Sequence, residues 1–260
     1  MKILLILDET SFFQPLFANA LIKKLKEKNF EVIGGLVTHI PKKNSIEKYL
    51  IKKFYKLYLS EIFLLSFKKT LSMFLSVIFP NGINESFFSV RSVFSKHKIS
   101  YIKIKNDINK KFYVDKISNL NIDLIISSNS LYFGKKIIQI PKLGSINRHT
   151  SLLPSYGGIW PVLQAISHNE SYVGVTVHKM TLSIDEGNIL SQKNISIENN
   201  KNLTFIYKKA FMQSSDAVVE AIDNLLDNKK PTIKSYQKSY FSFPNDEEWK
   251  NFRKNGGRFI

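Results

Sequence analysis

The sequence predicts an α/β fold with a mostly parallel β-sheet, an inserted basic helical segment and a short C-terminal appendage. Short apolar runs typical of buried strands alternate with apolar stripes of helical spacing along most of the chain. A loop rich in glycine and proline follows one of these strands, as active-site loops do in open α/β sheets. The 260 residues, 43% of them hydrophobic, suffice to bury a proper core, which excludes a disordered or collagen-like chain.

The N-terminal part follows a strand–helix–strand order. Residues 2–7 form a continuous apolar run, and a helical stripe follows with an apolar residue at every fourth position: Phe13, Phe17, Leu21 and Leu25. A second strand is predicted at 32–37. Asp8 and Glu9 end the first apolar run too early for a secretory signal, so we interpret this run as a strand.

An inserted helical segment is predicted over about 42–80, where the regular alternation stops. Residues 42–69 contain eight Lys and two Glu. One interpretation is a basic amphipathic segment that lies on an anionic membrane or carries a partner interface. The other, which we favour, is a helical pair packed on the body with its lysines in solvent. The stretch 59–80 is apolar, but three charges interrupt it and exclude a membrane-spanning helix: Glu61, Lys68 and Lys69.

The alternation resumes after the insertion. Helices are predicted at 86–96 and 110–120, and strands at 101–104, 123–127 and 144–147. Two more strands, at 173–180 and 189–197, precede a helix at 203–226 and an aromatic, turn-rich tail from residue 231. We expect a main domain over 1–200, and a C-terminal helix with its tail over 201–260.

The composition limits the chemistry. The chain has no cysteine, which excludes disulfides, thiolate nucleophiles and thiolate metal sites and agrees with a cytoplasmic location. Oxygen and imidazole groups remain for an active site. The formal net charge of +17 suits an anionic partner such as a nucleotide, a nucleic acid or an acidic membrane surface. A compositional bias toward Lys, Asn and Ile explains the same charge equally well.

Three polar residues are expected on one side of the sheet. Asn147 and His149 end a predicted strand, and Asp185 lies in the turn after a later strand. An amide donor, an imidazole and a carboxylate can together bind an oxyanion and manage a proton, which is what acyl transfer to an amine requires. We call these residues the trio below.

The segments SINRHTSLLPSYGGIWPVLQAI and GVTVHKMTLSIDEGNIL contain three ordered motifs: Asn-x-His-x-Ser-Leu-Leu-Pro, Gly-Val-Thr-x-His and Asp-x-Gly. They resemble the formyltransferases that use 10-formyltetrahydrofolate. The resemblance implies a Rossmann-like fold without a metal, in which Asn147 and His149 hold the formyl oxygen. It also implies that Asp185 orients His149 and assists proton removal from the amine. Two residues depart from the family pattern: Thr150 replaces a proline, and Arg148 replaces a small or apolar residue.

The resemblance also implies binding residues. The backbone of two loops is expected to hold the folate, at Leu131, Tyr132 and Phe133 and at Leu182, Ser183 and Ile184. For the acceptor, we expect Tyr156 and Trp160 to stack on a sugar and Arg148 to meet a substrate phosphate. His178 is a further candidate beside the site. Ordinary core packing of Trp160 and a hydrogen-bonded strand histidine at 178 are the alternatives.

Three classes of amine are considered. The segment DETSFFQP after the first strand lacks the glycines of a phosphate loop, which argues against glycinamide ribonucleotide as acceptor. The residues after 197 form a helix and a short tail, which argues against the C-terminal barrel of methionyl-tRNA formyltransferases. The aromatic tail resembles the sugar N-formyltransferases, which formylate nucleotide-linked amino sugars, such as a 3- or 4-amino-dideoxyhexose, for surface polysaccharides.

We therefore expect a nucleotide-linked amino sugar as partner, rather than a nucleic acid. A methionyl-tRNA formyltransferase-like enzyme is the first alternative. The second is a non-catalytic protein of the same fold that contacts a membrane through residues 42–79. The sequence leaves the oligomeric state open, a homodimer included.

Overall fold

The computed structural model describes residues 1–9, 12–38 and 54–260. Nine strands lie in the described residues: β1 Lys2–Asp8, β2 Glu31–Thr38, β3 Tyr101–Lys105, β4 Leu124–Ser128, β5 Ser145–His149, β6 Gly157–Gly158, β7 Tyr172–Lys179, β8 Ile189–Ser196 and β9 Tyr240–Phe241. Seven of them form one sheet in the order β3-β2-β1-β4-β5-β7-β8, and β6 pairs with β9 separately.

The large sheet is parallel from β3 to β5 and antiparallel beyond it. β1 pairs in parallel with β2 and β4, and β4 pairs in parallel with β5. β7 then runs antiparallel to both β5 and β8. The predicted mostly parallel α/β sheet is confirmed, and the antiparallel β7 sets Asn147 directly opposite His178.

The described residues contain eight α-helices: α1 Gln14–Glu27, α2 Leu59–Ile78, α3 Val90–Lys96, α4 Lys111–Ser118, α5 Lys135–Ile138, α6 Pro161–Ser167, α7 Leu203–Leu226 and α8 Asp246–Lys254. A 3-10 helix at Phe54–Lys56 precedes α2. α1, α3 and α7 cover one face of the sheet, and α4 and α5 cover the other. Successive residues of β1 enter the two layers alternately, as a strand buried on both faces requires.

Most predicted elements are present within a few residues of their expected ends. The helix predicted at 203–226 has those bounds in α7, because the Asn202 side chain accepts a hydrogen bond from the Phe205 N–H at its start. The local pattern predicts neither α6 nor α8, which lie in the segments expected as a glycine- and proline-rich loop and its continuation and as a turn-rich tail. It also does not predict the β6–β9 pair, since that pair joins distant segments. α7 packs into the same core as the sheet, and the domain boundary at residue 200 stays a prediction.

The predicted helical insertion is described only in part. Residues 42–53 lie outside the described residues, and the remainder contains the 3-10 helix and the twenty-residue α2. α2 is attached near its N-terminus by Glu61, whose carboxylate accepts two hydrogen bonds from the Arg253 guanidinium. None of the described helices combines the length and the hydropathy that crossing a membrane requires.

Candidate active site

Strand β5 sorts its residues onto two faces by simple alternation. Asn147 and His149 face one side and are half-buried, whereas Arg148 and Thr150 face the other and are buried. The facing strand β7 contributes His178 on the Asn147 side. One face of the β5–β7 pair therefore carries the amide and the two imidazoles.

His149 is held from two directions. Its Nε2 lies 3.1 Å from the Tyr156 carbonyl oxygen, and because a carbonyl only accepts, the ring donates through Nε2. Its Nδ1 lies 3.6 Å from Asp185 Oδ1. The two ring nitrogens therefore face a carbonyl oxygen and a carboxylate oxygen. The structure thus brings His149 and Asp185 together, as the sequence predicts.

Asp185 is positioned by the backbone around it. Its own φ is +57°, a left-handed conformation that the surrounding loop imposes. Its Oδ2 accepts a hydrogen bond of 2.8 Å from the Gly158 N–H. Two residues further on, a Cβ on Gly187 would lie 1.6 Å from the Lys179 carbonyl oxygen, so only glycine fits. Neither Gly158 nor Gly187 is a sequence-predicted site residue, although the Asp-x-Gly motif contains the second.

His178 connects Asn147 to Asp185. Its Nδ1 donates to the Lys179 carbonyl at 3.0 Å, which leaves Nε2 as an acceptor 3.4 Å from Asn147 Nδ2. Asp185 Oδ1 lies 3.7 Å from the same Nε2. Burial lowers the pKa of His178 to about 4, more than the nearby carboxylate raises it, so the ring is neutral at physiological pH. The His178 side chain is 3% exposed and hydrogen-bonded, which favours the alternative of a hydrogen-bonded strand histidine, and a role in substrate binding stays a prediction.

Arg148 does not face the site, which corrects the expectation that it meets a substrate phosphate. Its side chain is buried, with Nε donating to Ser214 Oγ at 2.8 Å and Nη2 to Thr150 Oγ1 at 2.6 Å. The guanidinium also lies over the Phe211 ring, 3.9 Å from its centroid. Burial lowers the pKa of Arg148 to about 10, and the group remains a cation. The physical reason is the strand period, which turns residue 148 away from 147 and 149.

The two aromatic residues expected to stack on a sugar are both engaged with the protein. The Tyr156 hydroxyl donates to Glu170 at 2.7 Å, and its ring stacks on Phe241 at 5.4 Å between centroids. Trp160 packs edge-on against Trp249 and Phe259. These contacts favour the core-packing alternative for Trp160, and its stacking on a sugar stays a prediction.

The first predicted folate loop is tied down by two asparagines. The Leu131 N–H donates to Asn129 Oδ1 at 2.9 Å, and the Tyr132 carbonyl accepts from Asn109 Nδ2 at 2.9 Å. The Phe133 side chain is buried in the core. Two of the backbone groups expected to grip folate already have partners within the protein. What remains on the surface of this loop is the exposed Tyr132 ring.

The second predicted folate loop presents apolar side chains. Leu182 and Ile184 are both about half exposed, and the Ser183 carbonyl accepts from Thr181 Oγ1 at 2.9 Å. Met180 at the start of this loop and Leu131 of the first belong to one apolar cluster. The two loops therefore lie over the same face of the sheet as the trio.

The β6–β9 pair brings the C-terminal tail to the site. Its register sets Gly157 opposite Tyr240, and a Cβ on Gly157 would lie 3.2 Å from the Tyr240 ring and 3.5 Å from the Asp185 Cβ. Tyr240 is 57% exposed. Partial burial, followed by the Asp185 carboxylate, raises the pKa of its hydroxyl. Tyr240 is thus an open aromatic ring beside the trio, and sequence reasoning missed it because only tertiary pairing places it there.

A separate pocket of about 180 Å³ adjoins the loop after β5. Tyr156, Tyr172, Tyr236, Lys234 and Ser151 are among its lining residues. Tyr156 serves both regions, since its carbonyl accepts from His149 while its side chain lines the pocket. In the part of the chain that the structure describes, no group of three or more His, Cys, Asp or Glu side chains is placed to hold a metal ion.

A sequence model of the formyl transferase family matches residues 82–222, more than half of the chain and the whole segment that carries the trio. The chain belongs to the formyl transferase family. This formyl transferase is 40% identical over 147 residues to the bifunctional polymyxin resistance protein ArnA of Wigglesworthia glossinidia brevipalpis, a match that covers 55% of this chain and 22% of that protein. It is 32% identical over 137 residues to the methionyl-tRNA formyltransferase of Thermotoga maritima, covering 52% and 44% of the two chains.

Among solved structures, the formyl transferase fold of this chain is similar to that of WlaRD, a sugar 3N-formyl transferase. The TM-score is 0.58 at 16% identity, over 98% of this chain and 78% of WlaRD. The chain spans less than half the length of the two curated relatives it matches. Family membership confirms the resemblance seen in the motifs and makes the chain an enzyme of a group that transfers formyl groups.

Proposed function

We propose that this formyl transferase moves a formyl group from 10-formyltetrahydrofolate to the amine of a nucleotide-linked amino sugar. The observation that carries the proposal is the placement of Asn147 and His149 on one face of β5 with Asp185 facing His149 Nδ1 at 3.6 Å. The WlaRD structure was determined in the presence of dTDP and 5-N-formyl-THF, which supports both the donor and the acceptor class.

The surface beside the trio suits the folate donor. The half-exposed Leu182, Ile184 and Tyr132 offer apolar contacts to a flat bicyclic ring, and their loops lie over the same face as the trio. Bound 10-formyltetrahydrofolate supplies a formyl carbon that an amine can attack. The roles of Leu131, Tyr132 and Phe133 and of Leu182, Ser183 and Ile184 in holding it remain part of this proposal.

The trio would stabilise the charge that develops during transfer. Asn147 shares one amide N–H with His178, and its second N–H can donate to the formyl oxygen as that oxygen becomes negative. The His149 ring lies on the same face, with its Nδ1 toward the Asp185 carboxylate. Asp185, held by the Gly158 N–H, faces that ring and accepts the proton that the attacking amine must lose. The proton then passes to the departing folate nitrogen as the old carbon–nitrogen bond breaks.

The open Tyr240 ring supports a sugar as acceptor. An aromatic ring that is 57% exposed beside Asp185 offers a flat apolar surface, which suits the carbon face of a hexose. The formal net charge of +17 suits a nucleoside diphosphate attached to that sugar. The segment DETSFFQP still offers no glycine-rich phosphate loop for glycinamide ribonucleotide.

The proposed reaction is tested by incubating the protein with the formyl donor and a panel of amino-sugar nucleotides, and measuring the gain of one formyl group by mass spectrometry. We expect 3- or 4-amino-dideoxyhexose nucleotides to react. Charged initiator methionyl-tRNA is the comparison substrate, since a methionyl-tRNA formyltransferase is among the relatives. Formylation of the tRNA at comparable efficiency would show that tRNA, rather than an amino sugar, is the acceptor. The roles proposed for the trio would not change.

Salt dependence separates the same two acceptors. A tRNA stem is held through many phosphates, and each neutralised phosphate adds about 0.7 to 0.9 to the log–log slope of affinity against salt. A diphosphate offers about two such contacts on this scale. We therefore expect a shallow slope for the acceptor and competition by free nucleoside diphosphate. A steep slope without such competition counts against a nucleotide sugar.

Two tyrosine variants locate the acceptor. Tyr240→Ala is expected to raise the KM for the amino-sugar nucleotide about tenfold, the effect of losing about 1.4 kcal/mol of stacking. Tyr172→Ala is the matched control, because Tyr172 is 50% exposed but lines the separate pocket. If KM rises in Tyr172→Ala but not in Tyr240→Ala, the acceptor binds in that pocket instead.

We further propose that the reaction takes place in the cytoplasm and serves surface polysaccharide synthesis. The absence of cysteine and the likeness to sugar N-formyltransferases support this setting. The division into a catalytic domain over 1–200 and an appendage over 201–260 also remains a proposal, although α7 and α8 both contribute residues to the core of the sheet.

A further inference from the structure

Helix α2 exposes an unusual amount of apolar surface. Leu59 and Val77 are about four-fifths exposed, and Phe63, Phe67 and Phe74 are each more than half exposed. These five residues recur at helical spacing and form one stripe, which we call the apolar face of α2. Single exposed apolar residues are normal on a protein surface, but a continuous stripe marks a contact with something else.

The opposite side of α2 faces the protein. Ser72 Oγ donates to the Phe88 carbonyl at 3.1 Å, and Glu61 is buried. Although burial alone would raise it, the pKa of Glu61 lies below its usual range, because Arg253 and the N–H groups of Phe259 and Tyr58 donate to the carboxylate. This ion pair fixes the N-terminal end of the helix with its apolar face outward.

The charges of α2 are arranged around that face. Lys68 and Lys69 are exposed and, at 100° per residue, lie on the two flanks of the helix, between the apolar face and the protein. Glu61 is the one acidic residue within Leu59–Ile78 in the sequence, and it is paired with Arg253. The outward half of the helix is therefore apolar, and the two lysines lie behind its edges, at about 115° and 145° from the middle of the apolar face.

We propose that α2 docks this formyl transferase on an anionic lipid surface. The apolar face of α2 enters the boundary between headgroups and acyl chains, and Lys68 and Lys69 extend to the lipid phosphates at the level of the interface. Over the described residues 54–78 the sequence has three Lys and one Glu, a balance that is complementary to such a surface. The proposal is independent of which amine is formylated.

A second copy of the chain fits the same face less well. The middle of Leu59–Ile78 falls between Lys68 and Lys69. In a two-fold pair centred on this point, the lysines of both copies lie at the same level along the axis but on the sides of the helices turned away from the contact. Such a pair gains nothing from these charges, whereas an anionic surface attracts them.

The test is flotation of the full chain with vesicles of phosphatidylcholine alone and of phosphatidylcholine mixed with phosphatidylglycerol. We expect binding to the anionic vesicles that weakens with salt. The variant with Phe63→Ser, Phe67→Ser and Phe74→Ser is expected to bind at least about a hundredfold more weakly, because it no longer buries three rings. Lys68→Gln with Lys69→Gln should weaken binding about fivefold per lysine.

Matched controls use exposed residues on the other layer. Phe112→Ser, and Lys135→Gln with Lys136→Gln, remove the same kinds of group from α4 and α5 and should leave flotation unchanged. Cooperative thermal unfolding shows whether each variant folds. If the triple phenylalanine variant does not fold, the lysine variant tests the proposal. Absence of flotation, or flotation that survives the α2 variants, overturns the proposal. So does a dimer in light scattering that the phenylalanine variant dissociates without any vesicle binding.

Discussion

The two faces of strand β5 differ in what their polar groups do. On one face, Asn147 and His149 are half-buried and contact His178 and Asp185. On the other, Arg148 and Thr150 are buried and satisfy each other through a hydrogen bond of 2.6 Å. Successive residues along β5 therefore alternate between the face of the candidate active site and the packed interior.

The two residues that depart from the family pattern lie together on the buried face. Arg148 replaces a small or apolar residue, and Thr150 replaces a proline, and both changes fall on the buried face. The threonine hydroxyl accepts from the guanidinium, while Ser214 and the Phe211 ring complete its surroundings. The two residues that depart from the pattern therefore contact each other on the buried face, while Asn147 and His149 lie on the other face.

His149→Ala is expected to lower kcat for formyl transfer by about a hundredfold to a thousandfold, because it removes the imidazole beside the developing oxyanion. Acceptor binding and cooperative melting should remain close to the parent. Asp185→Asn should have a similar effect on kcat. His97→Ala is the control, since His97 lies at the end of α3 and contacts Asn19. If His149→Ala has the same turnover number as the parent, His149 takes no part in formyl transfer.

Arg148→Ala is expected to destabilise the fold by about 3 kcal/mol, because it leaves a cavity beside Phe211 and removes the partner of Thr150. Arg148→Met fills the space without a charge and should stay within about 1 kcal/mol of the parent. Urea unfolding measures both. The KM for the acceptor should not change in Arg148→Met. A large increase in KM would show that Arg148 contacts the substrate.

The neutral His178 predicts an acid-sensitive fold. Because its pKa is lowered from 6.5 to about 4, the unfolded chain binds a proton that the folded chain excludes between these values. Stability from this site is complete above pH 6.5 and falls by up to about 3 kcal/mol as the pH approaches 4. Chemical denaturation at several pH values should show a shallower decline for His178→Gln. An unchanged decline would mean that other groups govern it.

Thr150→Val should cost about 2 kcal/mol, because the buried Arg148 guanidinium loses an acceptor and the shape is kept. Thr150→Ser retains the hydroxyl and should cost less than half as much. Melting curves of the two variants give the comparison directly. Equal losses would show that the Thr150 methyl group, rather than the hydrogen bond, stabilises the buried face.

Much of the fold could be predicted from local patterns. The apolar run at 2–7 and the stripe from Phe13 to Leu25 correspond to β1 and α1, because a buried strand and an amphipathic helix show their environment at short spacing. The trio could be predicted from its motifs. The orientation of Arg148 could also have been deduced, since the strand period of two places it opposite its neighbours.

The sequence by itself determined the α/β order, the family and the three polar residues of the trio, because each depends on residues close together in the chain. Only the tertiary structure decided how Asp185 is held, where Tyr240 lies and which way α2 faces. Gly158 contacts Asp185 across 27 positions, and β9 reaches the site by pairing with β6, across 83 positions between Tyr156 and Ser239. Contacts over such separations leave no periodic trace, since they depend on how whole elements pack.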